Sequence, residues 1–232
     1  MKEVSELLVP TAASLGRSAA SPPPRLVVTD VDSTLIAEEV IEELAARAGT
    51  RERVARITAR AMNGEIDFAD SLRERVATLA GVPQSVFAQI LDEVHPTEGA
   101  QELIDAVHAH GGAFGVVSGG FEEVVAPLAR RMRIDHFLAN RLEISAGRLT
   151  GRILGEIVTA EAKVRALEEW ARLHDADLAL TVAIGDGAND IAMMRTAGIG
   201  IAFCAKPAVR EAVRHALDLR RLDVLIGPLG LD

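Results

Sequence analysis

The chain has 232 residues, 49% of them hydrophobic and 25% charged, and its 25 Lys and Arg against 34 Asp and Glu leave a net charge of -9 at pH 7. Such a composition belongs to a globular chain able to bury a full core, and the acidic balance argues against nucleic acid or an anionic membrane as partner. No uninterrupted apolar segment reaches the roughly 18–20 residues that span a bilayer, and a lone cysteine, Cys204, cannot close an internal disulfide, so a reducing, cytoplasmic setting is expected.

In chain order, residues 1–24 are rich in Ser, Ala and Pro and end in Pro22-Pro23-Pro24, which reads as a flexible leader. LVVTDVD, from Leu26, is a short apolar run of the kind that forms a strand buried on both faces of a parallel sheet. From Ala37 to about His95 the pattern is helical: EEVIEELAARAG, RERVARITARAMNG and DFADSLRERVATLAG stop at Gly49, Gly64 and Gly81, Asp67 is an N-cap candidate, and PQSVFAQILDEVH closes before Pro96. From Thr97 strands and helices alternate. FGVVSGG and TVAIGDGAND are further buried strands, ANRLEISAGRLTGRILGEIV has hairpin character around Ala146-Gly147, and the last predicted helix starts at Lys206-Pro207. The expected fold is α/β: a doubly wound, mostly parallel sheet core (residues 25–36 and 97–232), with a small helical cap inserted after the first strand (37–96).

Three of the apolar runs stop at residues suited to phosphoryl chemistry: Asp30 and Asp32, Ser118, and Asp186. In open α/β sheets ligands bind outside the carboxyl ends of the strands, so these groups are expected to converge. Asp30 and Asp32, two apart, could address one centre if the strand geometry persisted, as nucleophile and general acid; helix capping or an Asx-turn explains them equally well. Asp186 and Asp190 in GDGAND offer hard oxygen ligands for Mg²⁺, though Asn189 and Asp190 could also be ordinary caps. Ser118-Gly119-Gly120 could cradle phosphate or make a plain turn. Lys163 falls in the first turn of a helix, where the dipole disfavours a cation by a few tenths of a kcal/mol unless an anion is bound. Arg75 shares a helix face with Phe68, Leu72 and Leu79, either snorkelling or gripping a carboxylate. Glu39, among Glu38, Glu42 and Glu43, is uninformative alone.

The set DVDSTL, SGG, Lys163 and GDGAND resembles the haloacid dehalogenase superfamily of phosphohydrolases, and the likeness runs from Leu26 to about Pro207. AMNGEIDFADSLRERV is similar to the cap of the branch that hydrolyses O-phospho-L-serine, the last step of serine biosynthesis. The resemblance implies that Asp30 forms an aspartyl-phosphate, that Asp32 is the acid and then the base, and that Mg²⁺ is held by Asp30, Asp186 and the backbone carbonyl of Asp32, with Asp190 supporting the loop. It further implies that Ser118, Gly119, Lys163 and Asn189 hold the phosphoryl group, that Glu39 meets the substrate ammonium and Arg75 its carboxylate, and that Met62 and Phe68 shield the closed site. The expected partner is this small-molecule substrate, with no nucleic acid and no membrane; the sequence leaves room for a homo-oligomer. Alternatives are a phosphotransferase to homoserine, a phosphatase for another small phosphoester, or a non-catalytic module on the same fold.

Overall fold

The computed structural model describes residues 8–62 and 65–232, the side chain of Met62 excepted. The first seven residues of the expected leader, and Gly64 as the expected stop of the second cap helix, lie outside the described residues. The strands are β1 (Leu26–Thr29), β2 (Ala113–Phe121), β3 (His136–Ser145), β4 (Arg148–Leu154), β5 (Thr181–Gly185), β6 (Ile199–Phe203) and β7 (His215–Leu217). They form one sheet in the order β4-β3-β2-β1-β5-β6-β7, parallel throughout except for the β3–β4 hairpin.

β1 lies at the centre because all four of its residues, LVVT, tolerate complete burial. Its side chains divide between two cores, as period-two geometry requires. Val27 joins Phe114, Val116, Val182 and Ile184 on one face. Leu26 and Val28 join Val117, Ala183, Leu167 and Trp170 on the other. Helices cover both faces: α5 (Ala100–Ala109) and α6 (Glu122–Met132) lie over the first core, α7 (Ala160–Leu173), α8 (Ile191–Thr196) and α9 (Pro207–Ala212) over the second. The interval between β1 and β2, where the helical cap is expected, holds α1 (Val40–Arg47), α2 (Arg51–Met62), α3 (Phe68–Ala77) and α4 (Val86–Glu93). α1 stops just before Gly49, which takes φ +68°, and α3 starts where Asp67 accepts the Asp70 amide at 2.8 Å. The hairpin turns on Ala146 and Gly147, both with positive φ, the pattern of a type I′ turn.

Three local outcomes differ from expectation. β2 does not stop at Ser118 but continues to Phe121, with a register shift against β3 between Val117 and Phe121, so Ser118-Gly119-Gly120 lies in an irregular strand end. β7 was not anticipated; three residues are too few for a periodic signal. Residues 8–24, expected as a flexible spacer, hold to the body: Leu15 is buried in the main core, and the Asp218 amide donates to the Leu8 carbonyl at 2.8 Å beside the β7 edge. No helix among the described residues is long and apolar enough to cross a membrane.

Candidate active site

β1 and β5 are parallel neighbours with Thr29 opposite Ile184, so the next residues of both strands leave the sheet at the same edge. Asp30 and Asp186 are thereby brought together, and Asp190 follows one turn after β5. Carboxylate oxygens of the three lie within 4.8 Å of one another. Lys163 enters from α7, whose first turn is capped by Thr159 accepting the Ala162 amide at 3.4 Å. The lysine is completely buried. Its ammonium donates to Asp30 Oδ1 and to Asp190 Oδ1, the latter at 2.6 Å. Burial works against its charge, but Asp190 and Asp30 more than offset this and hold the ammonium above its usual range. Lys163 is therefore no surface lysine: two carboxylates, not water, meet its charge.

Asp190 also accepts the Gly187 amide at 3.0 Å, so it does cap the loop while pairing with Lys163. Asp186 is half-buried, touched by the Thr34 hydroxyl at 3.4 Å, and raised to about 6 by burial and then by Asp190. Three carboxylates against one ammonium leave uncompensated negative charge on hard oxygen donors. That donor set suits a divalent cation of the Mg²⁺ type, which would relieve the pressure on Asp186.

Asp32 follows another path. Strand pairing ends at Thr29, and the Asp32 carboxyl takes partners of its own while staying close enough to raise Asp30 and to feel Lys163. Its Oδ1 accepts the Val40 amide at 2.7 Å, at the start of α1, and its Oδ2 accepts the Ser118 hydroxyl at 3.1 Å. Burial raises its pKa against these donors. One carboxyl group thus caps the start of α1 and also meets the end of β2. Because Asp32 is outside the carboxylate cluster, its side chain is not placed as a metal ligand.

Ser118 is fully buried, and its oxygen also accepts the Gly120 amide at 2.8 Å, so that amide is spent within the turn. A Cβ on Gly120 would fall 2.5 Å from Asp32 Oδ2 and 2.9 Å from Ser118 Oγ, which explains why the position is bare. The Gly119 carbonyl is held by Asn140 Nδ2 at 2.9 Å, and Asn140 Oδ1 accepts the Val158 amide at 2.8 Å. Asn140 was missed in sequence. It ties the Gly119 turn to the segment that leads into α7, and its only signal was its place in ANRLE.

Above this floor, Glu39 accepts the Ser33 hydroxyl at 2.6 Å. Its side chain reaches solvent, yet enough protein and enough negative charge surround the carboxylate that burial and then Asp32 raise it to about 7. Arg75 is half-buried; burial lowers its pKa while Glu39 and then Asp32 pull it back up, so the guanidinium lies within the field of the site's carboxylates. The Phe68 ring tip would lie 3.1 Å from a Cβ on Gly119, with Asn189 Nδ2 at 3.9 Å from the same point. Phe68, Asn189 and Gly119 therefore adjoin. The Met62 side chain lies outside the described residues.

A family model for haloacid dehalogenase-like hydrolases matches residues 27–195. The phosphoserine phosphatase of Lactococcus lactis is 52% identical over 197 residues, covering 85% of this chain and 91% of the relative. That of Streptococcus thermophilus is 54% identical over 208 residues, covering 88% and 97%. Among solved structures, a phospho-aspartyl intermediate analogue of phosphoserine phosphatase superposes with a TM-score of 0.82 at 40% identity, covering 88% of this chain and 98% of that one. A substrate-bound phosphoserine phosphatase complex gives 0.82 at 39%, covering 89% and 98%. With matches over nearly the whole length of such relatives, and an acid-lysine cluster at the strand ends where the fold places its ligands, the chain belongs to the haloacid dehalogenase-like hydrolases and, within them, to the phosphoserine phosphatases.

Proposed function

We propose that the chain is a Mg²⁺-dependent phosphatase releasing L-serine and inorganic phosphate from O-phospho-L-serine through a phosphorylated Asp30. One observation carries the reading: a wholly buried ammonium, Lys163, bound to Asp30 beside Asp186 and Asp190. Together with a divalent cation on the same carboxylates, it would give an acidic protein a locally cationic point at which a phosphate dianion can be received. Asp30 and Asp186 would hold the ion, with the Asp32 carbonyl as the third protein ligand and Asp190 behind them; when bound, Mg²⁺ supplies positive charge against the phosphoryl oxygens.

The residues divide the chemistry as follows. An Asp30 oxygen attacks phosphorus, forming an acyl-phosphate bond as the bond to the serine oxygen breaks. Asp32, whose pKa is raised by burial, delivers a proton to that leaving oxygen. Water then attacks phosphorus, Asp32 takes the water's proton, and phosphate leaves with the Asp30 carboxylate restored. Lys163, Ser118, Gly119 and Asn189 hold the phosphoryl oxygens, while Glu39 takes the substrate ammonium and Arg75 its carboxylate. We read α1–α4 as the cap and Phe68, with Met62, as its inner shield.

The reading is tested by phosphate release from phosphoserine, phosphothreonine and phosphoglycolate, with and without Mg²⁺ and with homoserine as acceptor. Metal-dependent release with phosphoserine preferred is expected. Phosphohomoserine as the main product, or no preference among the three esters, would contradict it.

Two smaller predictions arise here. Gly120→Ala should lower kcat by about 100-fold, because the new methyl displaces Asp32 and Ser118 by a fraction of their contact distance; initial rates at saturating phosphoserine check this. Glu39, raised to about 7, is neutral below that pH and charged above it. Hence kcat/KM for phosphoserine should climb as pH rises through about 7, and Glu39→Gln should lose that inflection relative to the parent's pH profile. The sign for stability is opposite: a raised carboxyl stabilises the fold in its protonated form, an effect full below about 4.5 and lost as pH passes about 7.

A further inference from the structure

Ser71 is 1% exposed, and its hydroxyl has no hydrogen-bond partner among the described residues. A serine inside a helix ordinarily donates to the carbonyl four residues back. Here the Asp67 carbonyl accepts the Ser71 amide at 2.9 Å, and the hydroxyl makes no bond to it. A buried hydroxyl left in this state carries an uncompensated desolvation cost. The other two buried orphans are placed differently: Thr29 is in the middle of the sheet, and Glu123 uses its second oxygen on the Leu142 amide.

The position along α3 says where the hydroxyl is. Phe68 is three residues before it and Arg75 four after, so the three form one stripe. Phe68 reaches Gly119 and Arg75 lies in the field of Glu39 and Asp32, so both ends of that stripe adjoin the site. Arg75 Nε donates to the Ser71 carbonyl at 3.3 Å, which folds the guanidinium back alongside the serine. The remaining faces of the helix are spoken for, Leu72 and Val76 by the core, Arg73 and Glu74 by solvent.

We propose that Ser71 is a specificity-determining residue whose hydroxyl donates to the carboxylate of the bound amino acid, next to Arg75. A carboxylate has more lone pairs than one guanidinium satisfies, and Arg75 spends its Nε within the helix. This contact rests on the phosphoserine reading above.

The test uses the full chain with Mg²⁺, comparing Ser71→Ala with its parent on O-phospho-L-serine and on phosphoethanolamine, which keeps the phosphate and ammonium and lacks the carboxylate. KM for phosphoserine should rise about tenfold, the worth of one hydrogen bond to a charged group. The KM, or inhibition constant, of phosphoethanolamine should stay unchanged, as should kcat on phosphoserine. The melting temperature should hold or rise, since an orphan is removed. Ser71→Cys, a weak donor of similar size, should show the same selective increase. Equal changes on both ligands, an unchanged KM for phosphoserine, or a lowered melting temperature with general loss of activity would overturn the contact while leaving the function standing. Failure of the parent chain to hydrolyse phosphoserine would instead overturn the function, and this contact with it.

Discussion

Asp30→Asn is expected to lower kcat by about 10⁴-fold or more, the scale of loss when a covalent catalyst is removed from an enzyme. The reason is chemical and not structural. An amide at this position keeps the volume and one acceptor oxygen for Lys163, so the ammonium still has Asp190 at 2.6 Å and an oxygen at Asp30's place. What is lost is an anionic oxygen able to bond to phosphorus. Steady-state phosphate release from the metal-loaded protein measures this directly, with circular dichroism to show that the fold persists. Turnover within tenfold of the parent would mean that Asp30 is not the nucleophile.

The second large effect concerns stability. Lys163→Met should cost about 3–5 kcal/mol, the usual result of removing one partner from a buried ion pair, and so lower the melting temperature by roughly 6–20 °C for a chain of this size. Methionine nearly fills the lysine's volume, which keeps a cavity from confusing the result. The remaining problem is charge: Asp30 and Asp190, both buried, would face Asp186 with no ammonium among them. Two consequences distinguish this from general loosening. Mg²⁺ should raise the variant's melting temperature more than the parent's, because a dication restores part of the missing charge. Acid pH should narrow the gap between variant and parent, because protonated carboxyls need no counter-charge. Thermal melts with and without Mg²⁺, at neutral and mildly acidic pH, check both; a variant as stable as the parent would show that the cluster is not held together by Lys163.

Much of the site was legible in the sequence because its framework is the sheet itself. Buried parallel strands read as apolar runs, and the residue just past each run must stand at the carboxyl edge; Asp30 and Asp186 could be placed by that rule alone. Lys163 was legible as an anomaly, a cation where a helix dipole opposes one, and its burial between Asp30 and Asp190 explains the anomaly. Asp32 was only half legible. Its partners, the Val40 amide and the Ser118 hydroxyl, come from segments that no pattern in DVDSTL announces.

Arg75 shows a different limit. Helical periodicity put it on a face with Leu72 and Leu79, and those two are indeed core residues, but Arg75 and Phe68 lie only half-buried at the border of that stripe. A helical wheel orders residues around an axis and says nothing of what each meets. Asn140 and Ser71 lay beyond sequence reasoning for the same reason, since each matters through a partner, or the lack of one, that is distant in the chain. The leader misled through its composition: prolines and serines resemble a spacer, yet Leu15 is buried in the core and the Leu8 carbonyl accepts the Asp218 amide.

The most direct test of the mechanism is to mix the Mg²⁺-loaded protein with phosphoserine, quench in acid within the first turnover, and map the modified peptide by mass spectrometry. One phosphoryl group on the segment bearing Asp30, absent from Asp30→Asn, is the expected result. A label on any other residue, or full turnover with no labelled protein at any time, would contradict it.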